Sequence, residues 1–431
     1  MKSLSIRLLL LAAAMLVATT AAFATGPAEE MSGSNEVTFS WWALSGGGGS
    51  PNPRETVRQA MIADFEADHP NVTIELTMWE NEAFKQKVQI DVQSGNPPDL
   101  FHSWGGGVMV EYAQAGQLRD ITDTVNNELS TFIGMGPLGV YGHNGHYYGA
   151  PYDMGAVGMW YNKDIFNEVG VSVPQTWPQL LDIVQQIGDA GYVPIALGGG
   201  DKWPAHFWWT YLATRIGGQA AFNAAYDGSG SFADPPYVQA GQDLLDLLAL
   251  NPFQEGYLGA TYDDEAALVA DGVAAMELMG QWAPAVQQAD SSDGVGLGDA
   301  LGWFPFPSVP GGAGSRSDVM GGGNGYVVGA NAPDATVDFL VYFLQPENAP
   351  ALIDAEGIVP VAQGVDYNFD ANAQAIIDAV ANATYYQLYY DQFLPPAVGE
   401  AVKDAVVALL AGQATPQQCA QMLQDAWEME M

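Results

Sequence analysis

The chain has 431 residues, more than one hydrophobic core usually serves, so its length predicts two lobes. Fifty acidic residues against 12 basic ones give a formal net charge of −38, which disfavours partners such as nucleic acid and anionic membranes and leaves an uncharged or cationic ligand as the better fit. The only cysteine, Cys419, excludes an internal disulfide and reads as a buried thiol on an apolar helix face.

The N-terminus has the pattern of an export signal. A basic start and an apolar run over residues 8–18 precede Ala22-Phe23-Ala24, which is an A-x-A cleavage site. The run is too short for a typical membrane span, and an uncleaved anchor is the alternative. We therefore predict a signal peptide over 1–24, a flexible leader over 25–35, and a periplasmic or other extracytoplasmic location.

From residue 36 onward, strand and helix patterns alternate. Alternating apolar residues predict strands over 36–44 and 72–78 and a short strand at 100–101, and a helical pattern follows each of them. This order is typical of a parallel, doubly wound sheet, in which ligands bind beyond the carboxyl ends of the strands. The residues at those ends, which we expect to cluster, are Trp41, Trp42, Trp79, Glu80 and Trp104.

A hairpin follows at Asn144-Gly145, which alternating aromatic residues flank. His143 and His146 bracket the turn, but no third metal ligand is evident nearby. We therefore predict a surface hairpin and no metal site.

The second half of the chain repeats a unit in which a strand ends in glycines beside a tryptophan. A strand over 192–197 leads into Gly198–Gly200 and then Trp203, and another strand leads into Gly280-Gln281-Trp282. A further glycine run, Gly321–Gly323, precedes Asn324. These loops place flat rings beside exposed backbone.

Three kinds of chemistry compete for these loops. Phosphate binding needs G-x-x-x-x-G-K-[ST] or a dinucleotide fingerprint, and the chain has neither. Catalysis by paired carboxylates, as in a secreted glycoside hydrolase, would draw on Glu80, Asp153 or Asp201. The third chemistry is sugar binding, in which an aromatic ring stacks on the C–H face of a pyranose and polar side chains bind its hydroxyls.

Several segments in order resemble one family, the family 1 extracellular solute-binding proteins of ABC sugar importers, the maltose-binding-protein type. The segments that carry the resemblance are FEADHPNVTIEL, GNPPDLFHSWGGG, YAQAGQLRDIT, WYNKDIF, TWPQLLDIVQQI and GQWAPAV. FHSWGGG and KWP most resemble the subgroup that binds xylo-oligosaccharides. The lack of a cysteine near the cleavage site departs from the many relatives that carry a lipid-modified one.

The resemblance implies a two-lobed α/β flytrap with a mostly parallel sheet flanked by helices in each lobe and hinge crossings between lobes. It implies neither catalysis nor a cofactor. Trp282 matches the family's stacking tryptophan, Asp153 matches the acidic residue after Pro-Tyr at the crossover, and Trp104 lies in the loop after the third strand. The first-strand loop matches residues 41–45, and the hairpin lies where the chain first crosses lobes.

We therefore expect the substrate-binding component of an ABC importer, a monomer that captures a neutral sugar or oligosaccharide and delivers it to a membrane permease by hinge closure. The predicted lobes comprise 36–150 with 308–350 and 151–307 with 351–431. A secreted glycoside hydrolase and a binder of non-sugar solutes remain alternatives. The predicted ligand-binding residues are Trp42, Ser45, Glu80, Asn81, His102, Trp104, Gly105, Asp153, Tyr161, Asp201, Trp203, Trp282, Gly322, Gly323 and Asn324.

Overall fold

A computed structural model describes residues 36–46 and 52–431. The predicted signal peptide and leader, residues 1–24 and 25–35, lie outside the described residues. Within the described part, no helix combines the length and apolarity needed to cross a membrane.

Strands and helices alternate through the first half of the chain. The part of the chain after residue 330 is mostly helical. The strands are β1 (Val37–Leu44), β2 (Val72–Trp79), β3 (Leu100–Ser103), β4 (Gly142–His143), β5 (His146–Tyr147), β6 (Gly149–Met154), β7 (Gly158–Asn162), β8 (Met276–Met279), β9 (Leu301–Phe304), β10 (Val319–Gly321), β11 (Gly323–Val328) and β12 (Tyr386–Leu388). The α-helices are α1 (Pro53–Asp68), α2 (Asn81–Gln93), α3 (Gly106–Gln114), α4 (Thr122–Asn127), α5 (Met135–Gly139), α6 (Lys163–Val169), α7 (Trp177–Asp189), α8 (Trp203–Asp227), α9 (Pro235–Leu248), α10 (Tyr262–Ala270), α11 (Ala283–Asp290), α12 (Asp334–Phe343), α13 (Ala349–Glu356), α14 (Ala371–Ala381), α15 (Tyr390–Phe393), α16 (Pro396–Leu410) and α17 (Pro416–Glu430).

The first sheet has five strands in the order β2-β1-β3-β11-β6. As the alternation predicts, β1 is parallel to both β2 and β3, with Val37 opposite Val72 and Trp41 opposite Leu100. β11 runs antiparallel to β3 and to β6, so β6 points the same way as the first three strands. The carboxyl ends of β1, β2, β3 and β6 therefore meet at one edge of this sheet, where the start of β11 also lies.

The second sheet has three strands in the order β8-β7-β9, and both pairings are antiparallel, which differs from the mostly parallel sheet expected in each lobe. The strand predicted over 192–197 forms only isolated parallel bridges, from Val193 to Ala274 and from Ile195 to Phe253. The two bridges go to different segments, because the Val193 N–H donates to the Val273 carbonyl whereas the Ile195 N–H donates to that of Pro252, so no continuous ladder forms.

Each sheet has its own buried core. Phe39, Trp41 and Phe339 belong to the cluster on the first sheet, and Trp160 and Trp208 belong to the larger cluster around the second. The cluster on the first sheet continues past residue 350, the predicted lobe boundary, through side chains of α13 that pack with it. The boundaries themselves stay a prediction.

Candidate ligand-binding cleft

A cavity of about 260 Å³ lies at the carboxyl-terminal edge of the first sheet, against side chains that pack with the second core. The first sheet's side supplies mainly polar groups, among them Ser45, Arg54, Glu80, Asn81 and Lys85, together with the indole of Trp104. The opposite side is mainly aromatic, with Trp203, Phe207, Tyr262, Trp282 and Tyr389. The location follows the rule that open α/β sheets bind ligands beyond the ends of their parallel strands.

Short connections after the strands of the first sheet hold its polar groups in place. The backbone N–H of Ser45 donates to the carbonyl of Trp79 at 2.7 Å, which fixes the end of β1 beside the end of β2. Glu80 then caps α2, because its two carboxylate oxygens accept hydrogen bonds from the backbone N–H groups of Glu82 at 2.8 Å and Ala83 at 2.9 Å. Both carboxylate oxygens of Glu80 thus serve the helix start.

The aromatic side of the cavity is a continuous row of rings. The ring centroid of Trp203 lies 5.0 Å from that of Tyr262 and 6.3 Å from that of Trp282. Tyr389 lies 6.3 Å from Trp282 and stacks on Phe207 at 5.3 Å. Such a row offers flat apolar faces to a ligand, and its rings hold one another in position.

The place of Trp282 depends on a glycine. A Cβ atom on Gly280 would come within 2.1 Å of the Trp282 indole, so no other residue leaves room for the ring at that place. Trp160 fixes the same loop, because its Nε1 donates to the Gly280 carbonyl at 3.0 Å. The Gly280 backbone and the Trp282 ring, which are close in the sequence, therefore pack tightly against each other.

Three rings that line the cavity carry buried polar atoms without hydrogen-bond partners among the described residues. They are Nε1 of Trp203 and the hydroxyls of Tyr262 and Tyr389. Buried polar atoms in native proteins are nearly always satisfied by protein, water or ligand. These atoms are therefore candidates for hydrogen bonds to a bound molecule.

Asp153, at the end of β6, is the most highly connected carboxylate in the cleft. Its Oδ2 accepts from the side-chain amides of Gln281 at 2.6 Å and Asn324 at 2.7 Å, and its Oδ1 accepts from the Val359 N–H at 2.9 Å. Burial raises the pKa of Asp153 to about 7, although these hydrogen bonds oppose the rise. The carboxylate ties four chain segments together and has little capacity left for a ligand hydroxyl.

An ion-pair cluster closes another part of the cavity wall. Nη1 of Arg58 lies 2.6 Å from Oε1 of the buried Glu356, and Nη1 of Arg54 lies 3.9 Å from its Oε2. The Tyr152 hydroxyl donates to the same carboxylate at 3.3 Å. Glu356 is thus neutralised by side chains of α1 and does not act as a free base.

The structure brings eight of the predicted ligand-binding residues to the cavity: Ser45, Glu80, Asn81, Trp104, Asp153, Trp203, Trp282 and Asn324. The other seven lie outside its lining: Trp42, His102, Gly105, Tyr161, Asp201, Gly322 and Gly323.

Three of the seven lie behind the side of the cavity that the first sheet supplies. Trp42 is half-buried against Trp79, with ring centroids 5.1 Å apart, because successive side chains of β1 point to opposite faces. His102 is buried below Trp104, and burial lowers the pKa of its ring well below the usual value, so the imidazole is neutral. Gly105 has φ of 69°, and a Cβ there would come within 2.5 Å of the Val140 carbonyl, so its role is close backbone packing.

Of the other four, Tyr161, Asp201 and Gly322 support the second sheet or the aromatic side of the cavity, and Gly323 begins β11 of the first sheet. Tyr161 packs on Phe166 at 4.6 Å, away from the cavity. Oδ2 of Asp201 accepts from the Tyr262 N–H at 2.8 Å, so it supports a lining ring. A Cβ on Gly322 would come within 2.2 Å of the Tyr389 ring, so Gly322 leaves room for that ring. Gly323 pairs with Met154 in the first sheet.

Sequence reasoning missed several lining residues, among them Arg54, Lys85, Phe207, Tyr262, Tyr389 and Asp391. Most of them lie in the first turn of a helix or just before it, and helix starts at the carboxyl ends of strands are the signal that could have found them. Tyr389 immediately precedes α15 and Asp391 lies in its first turn, in the tail of the chain, where the sequence offered no such signal.

Two sheets, each with its own core, and an aromatic-lined cavity against both define a two-lobed α/β ligand-binding protein. Residues 49–350 match the family described as "Bacterial extracellular solute-binding protein", so the chain belongs to that family. Its fold is the two-lobed type of the maltose-binding proteins, as the resemblance implied.

Individual relatives agree with this assignment. The chain is 28% identical over 252 residues to an uncharacterized ABC transporter extracellular-binding protein of Pyrococcus horikoshii, covering 57% of this chain and 55% of that one. It is 27% identical over 281 residues to a multiple sugar-binding protein of Streptococcus mutans, covering 63% and 61%. The chain thus spans little more than half the length of these two relatives.

A solved structure matches over a greater length. It comes from work on xylan utilization by the thermophilic bacterium Caldanaerobius polysaccharolyticus and has a TM-score of 0.84 and 27% identity. The match covers 90% of this chain and 99% of that one.

Proposed function

We propose that the protein binds a neutral oligosaccharide in this cleft and delivers it to the permease of an ABC importer. The observation that carries the proposal is the row of rings from Tyr262 through Trp203 and Trp282 to Tyr389, which faces polar side chains on the opposite wall. This combination suits a pyranose, because one face of the sugar ring is apolar and its rim carries hydroxyls.

Hinge closure is the mechanism we propose. A ligand that touches both walls binds the closed state more tightly and so shifts the population toward it. The rings hold the sugar faces, and the unpartnered Trp203 Nε1 and the Tyr262 and Tyr389 hydroxyls bind sugar oxygens. The names of relatives support a sugar ligand, because one is a multiple sugar-binding protein and a similar structure comes from work on xylan utilization.

We propose a binding role without catalysis, because the candidate catalytic carboxylates are engaged. Both oxygens of Glu80 cap α2, those of Asp153 accept three hydrogen bonds, and Oδ2 of Asp201 holds the Tyr262 backbone. A glycosidase needs one carboxylic acid free to protonate the leaving group and a second carboxylate free to act as nucleophile or base. We further propose that the chain is exported by residues 1–24 and acts outside the cytoplasm as a monomer.

Calorimetric titration of the chain without residues 1–24 tests the proposal, using xylo-, malto- and chito-oligosaccharides with amino acids and peptides as the non-sugar arm. We expect a sugar to bind, and at 100 times its dissociation constant to stabilise the fold by about 2.7 kcal/mol. Binding confined to the non-sugar arm would refute the sugar assignment. New reducing ends in the same samples after hours of incubation would refute the non-catalytic role.

A further inference from the structure

The ammonium group of Lys85 lies against two indoles from opposite sides of the cleft. Its Nζ is 5.6 Å from the ring centroid of Trp104, which follows β3, and 5.9 Å from that of Trp203, which begins α8. Both distances fall within the range at which an aromatic face attracts a cation. Lys85 itself belongs to α2 and is paired with Glu82, whose Oε1 lies 2.7 Å from Nζ.

The surroundings of this ammonium are strongly acidic. Besides Glu80, the cavity is lined by Asp263 and Asp391, and the chain as a whole carries a formal charge of −38. Burial and then the neighbouring carboxylates, Asp290, Glu80 and Asp201 among them, raise the pKa of Asp263 to about 6. A negative field of this kind concentrates cations at the cleft.

We propose that Trp104 and Trp203 form a cation site that Lys85 fills with its own ammonium group, so that Lys85 is a specificity-determining residue that excludes soluble organic cations. The inference deepens the proposed function, because the site is the same cleft. Rings and carboxylates suited to a sugar also suit a quaternary ammonium ion, and without Lys85 such ions would compete with an uncharged ligand.

A second lysine of the same helix provides an internal comparison. Nζ of Lys87 lies 5.1 Å from the ring centroid of Trp42 and pairs with Asp91, so it makes the same two kinds of contact as Lys85. Neither Lys87 nor Trp42 lines the cavity. Replacing Lys87 therefore removes one positive charge from α2 but leaves the position between Trp104 and Trp203 occupied by Lys85.

The test is equilibrium dialysis of the full chain and its variants against labelled tetramethylammonium at constant ionic strength. We expect Lys85→Ala to bind this cation about tenfold more tightly than the parent, as one or two cation–π contacts imply, and Lys87→Ala to match the parent. Equal binding by Lys85→Ala and Lys87→Ala would overturn the proposal, because a general change in net charge would then explain the data.

Two further variants locate the site and protect the test against misfolding. Trp203→Ala added to Lys85→Ala should abolish the gain, and a gain that persists would place the cation elsewhere and refute the site. Lys85→Gln removes the charge but keeps a long side chain, and it replaces Lys85→Ala in every comparison if the alanine variant does not fold. Sugar titrations of the parent are read separately, since a parent that binds no sugar contradicts the proposed function and leaves the cation comparison unaffected.

Discussion

The side-chain amide of Gln281 donates a hydrogen bond of 2.6 Å to Oδ2 of Asp153, and it links the loop after β8 in the second sheet to the end of β6 in the first. Asn324 and the Val359 N–H donate to the same carboxylate. This buried polar centre lies where chain segments of the two sheets meet. Its hydrogen bonds therefore help to hold the two sides of the cleft in position relative to each other.

Asp153→Ala should lower the free energy of unfolding by about 1–3 kcal/mol at pH 4, well below the raised pKa of this carboxyl, because it leaves the donors of Gln281, Asn324 and Val359 without an acceptor. Urea unfolding measures the loss. Asp246→Ala is the control, since this residue is exposed on α9 and its removal should cost less than about 0.5 kcal/mol. Equal losses in the two variants would contradict the structural role of Asp153.

Trp282→Ala should weaken the binding of the sugar that the parent binds by about 1–3 kcal/mol, through loss of a stacking face and of buried apolar area. Calorimetric titration measures the change. The matched control is Trp42→Ala, which removes another half-buried indole that lies outside the cavity. We expect the control to keep the parent's affinity, and the reverse pattern would show that the ligand binds elsewhere.

Gly107→Ala should destabilise the protein by about 1–3 kcal/mol, because its Cβ would come within 2.3 Å of the Leu394 carbonyl, where the start of α3 packs on the end of α15. Thermal unfolding followed by circular dichroism provides the measurement. Gly136→Ala in α5 is the control, since nothing lies within 4 Å of a Cβ there. A Gly107 variant as stable as this control would mean that the two backbones can separate without cost.

Two buried glutamates below the cleft predict a pH dependence of stability. Glu265 accepts from the Gly198 N–H at 2.6 Å, and Glu277 accepts from the Gln287 amide at 2.6 Å. Burial raises the pKa of both carboxyls above the ordinary value of about 4.5, and the charge of Glu277 raises that of Glu265 further. The folded state therefore holds more protons than the unfolded state, and their contribution to stability, complete below about pH 4.5, falls as pH rises through the raised pKa values.

Glu265→Gln should flatten this dependence and stabilise the protein by about 1–3 kcal/mol at pH 8, because one buried charge is removed and an amide oxygen can still accept from Gly198. Urea unfolding at pH 5, 6, 7 and 8 gives the slope. Glu255→Gln removes the same charge from an exposed position and should keep the slope of the parent. A Glu265 variant with the parent's slope would show that the pair does not control the pH response.

The local patterns of the sequence predicted most of the elements that form the first sheet. Alternation in residues 36–44 and 72–78 gave strands that pair in parallel, and the Asn144-Gly145 turn forms the expected hairpin between β4 and β5. These features depend on neighbouring residues, whose periodicity and turn chemistry act over a few positions. The pattern at 192–197 failed because Val193 and Ile195 bridge to two different segments, at Ala274 and Phe253, a tertiary arrangement that no local pattern records.

The candidate site was predictable in part for the same reason. Trp104 directly follows β3, a parallel strand of the first sheet, so the topology rule alone places it at the cleft. Trp282 follows the antiparallel strand β8 after two residues, and its place was predicted from the glycine-tryptophan motif and the family resemblance. Which residues at the end of β3 enter the cavity depends on packing. Trp104 lines the cavity, whereas His102 and Gly105 pack behind it.

The sequence by itself determined the family, through the segments that resemble it, and the α/β class with two lobes, which its length, its strand–helix alternation and that resemblance predict. It also predicted the aromatic character of the candidate site, because tryptophans stand beside glycine loops along the chain. Only the tertiary structure decided that Asp153 serves as a junction between segments, that Tyr389 joins the row of rings, and that Lys85 lies between two indoles. Asp153 and Val359 are 206 positions apart in the chain, and Trp203 and Tyr389 are comparably distant. Contacts at such separations are fixed by how whole layers pack, and no local pattern records them.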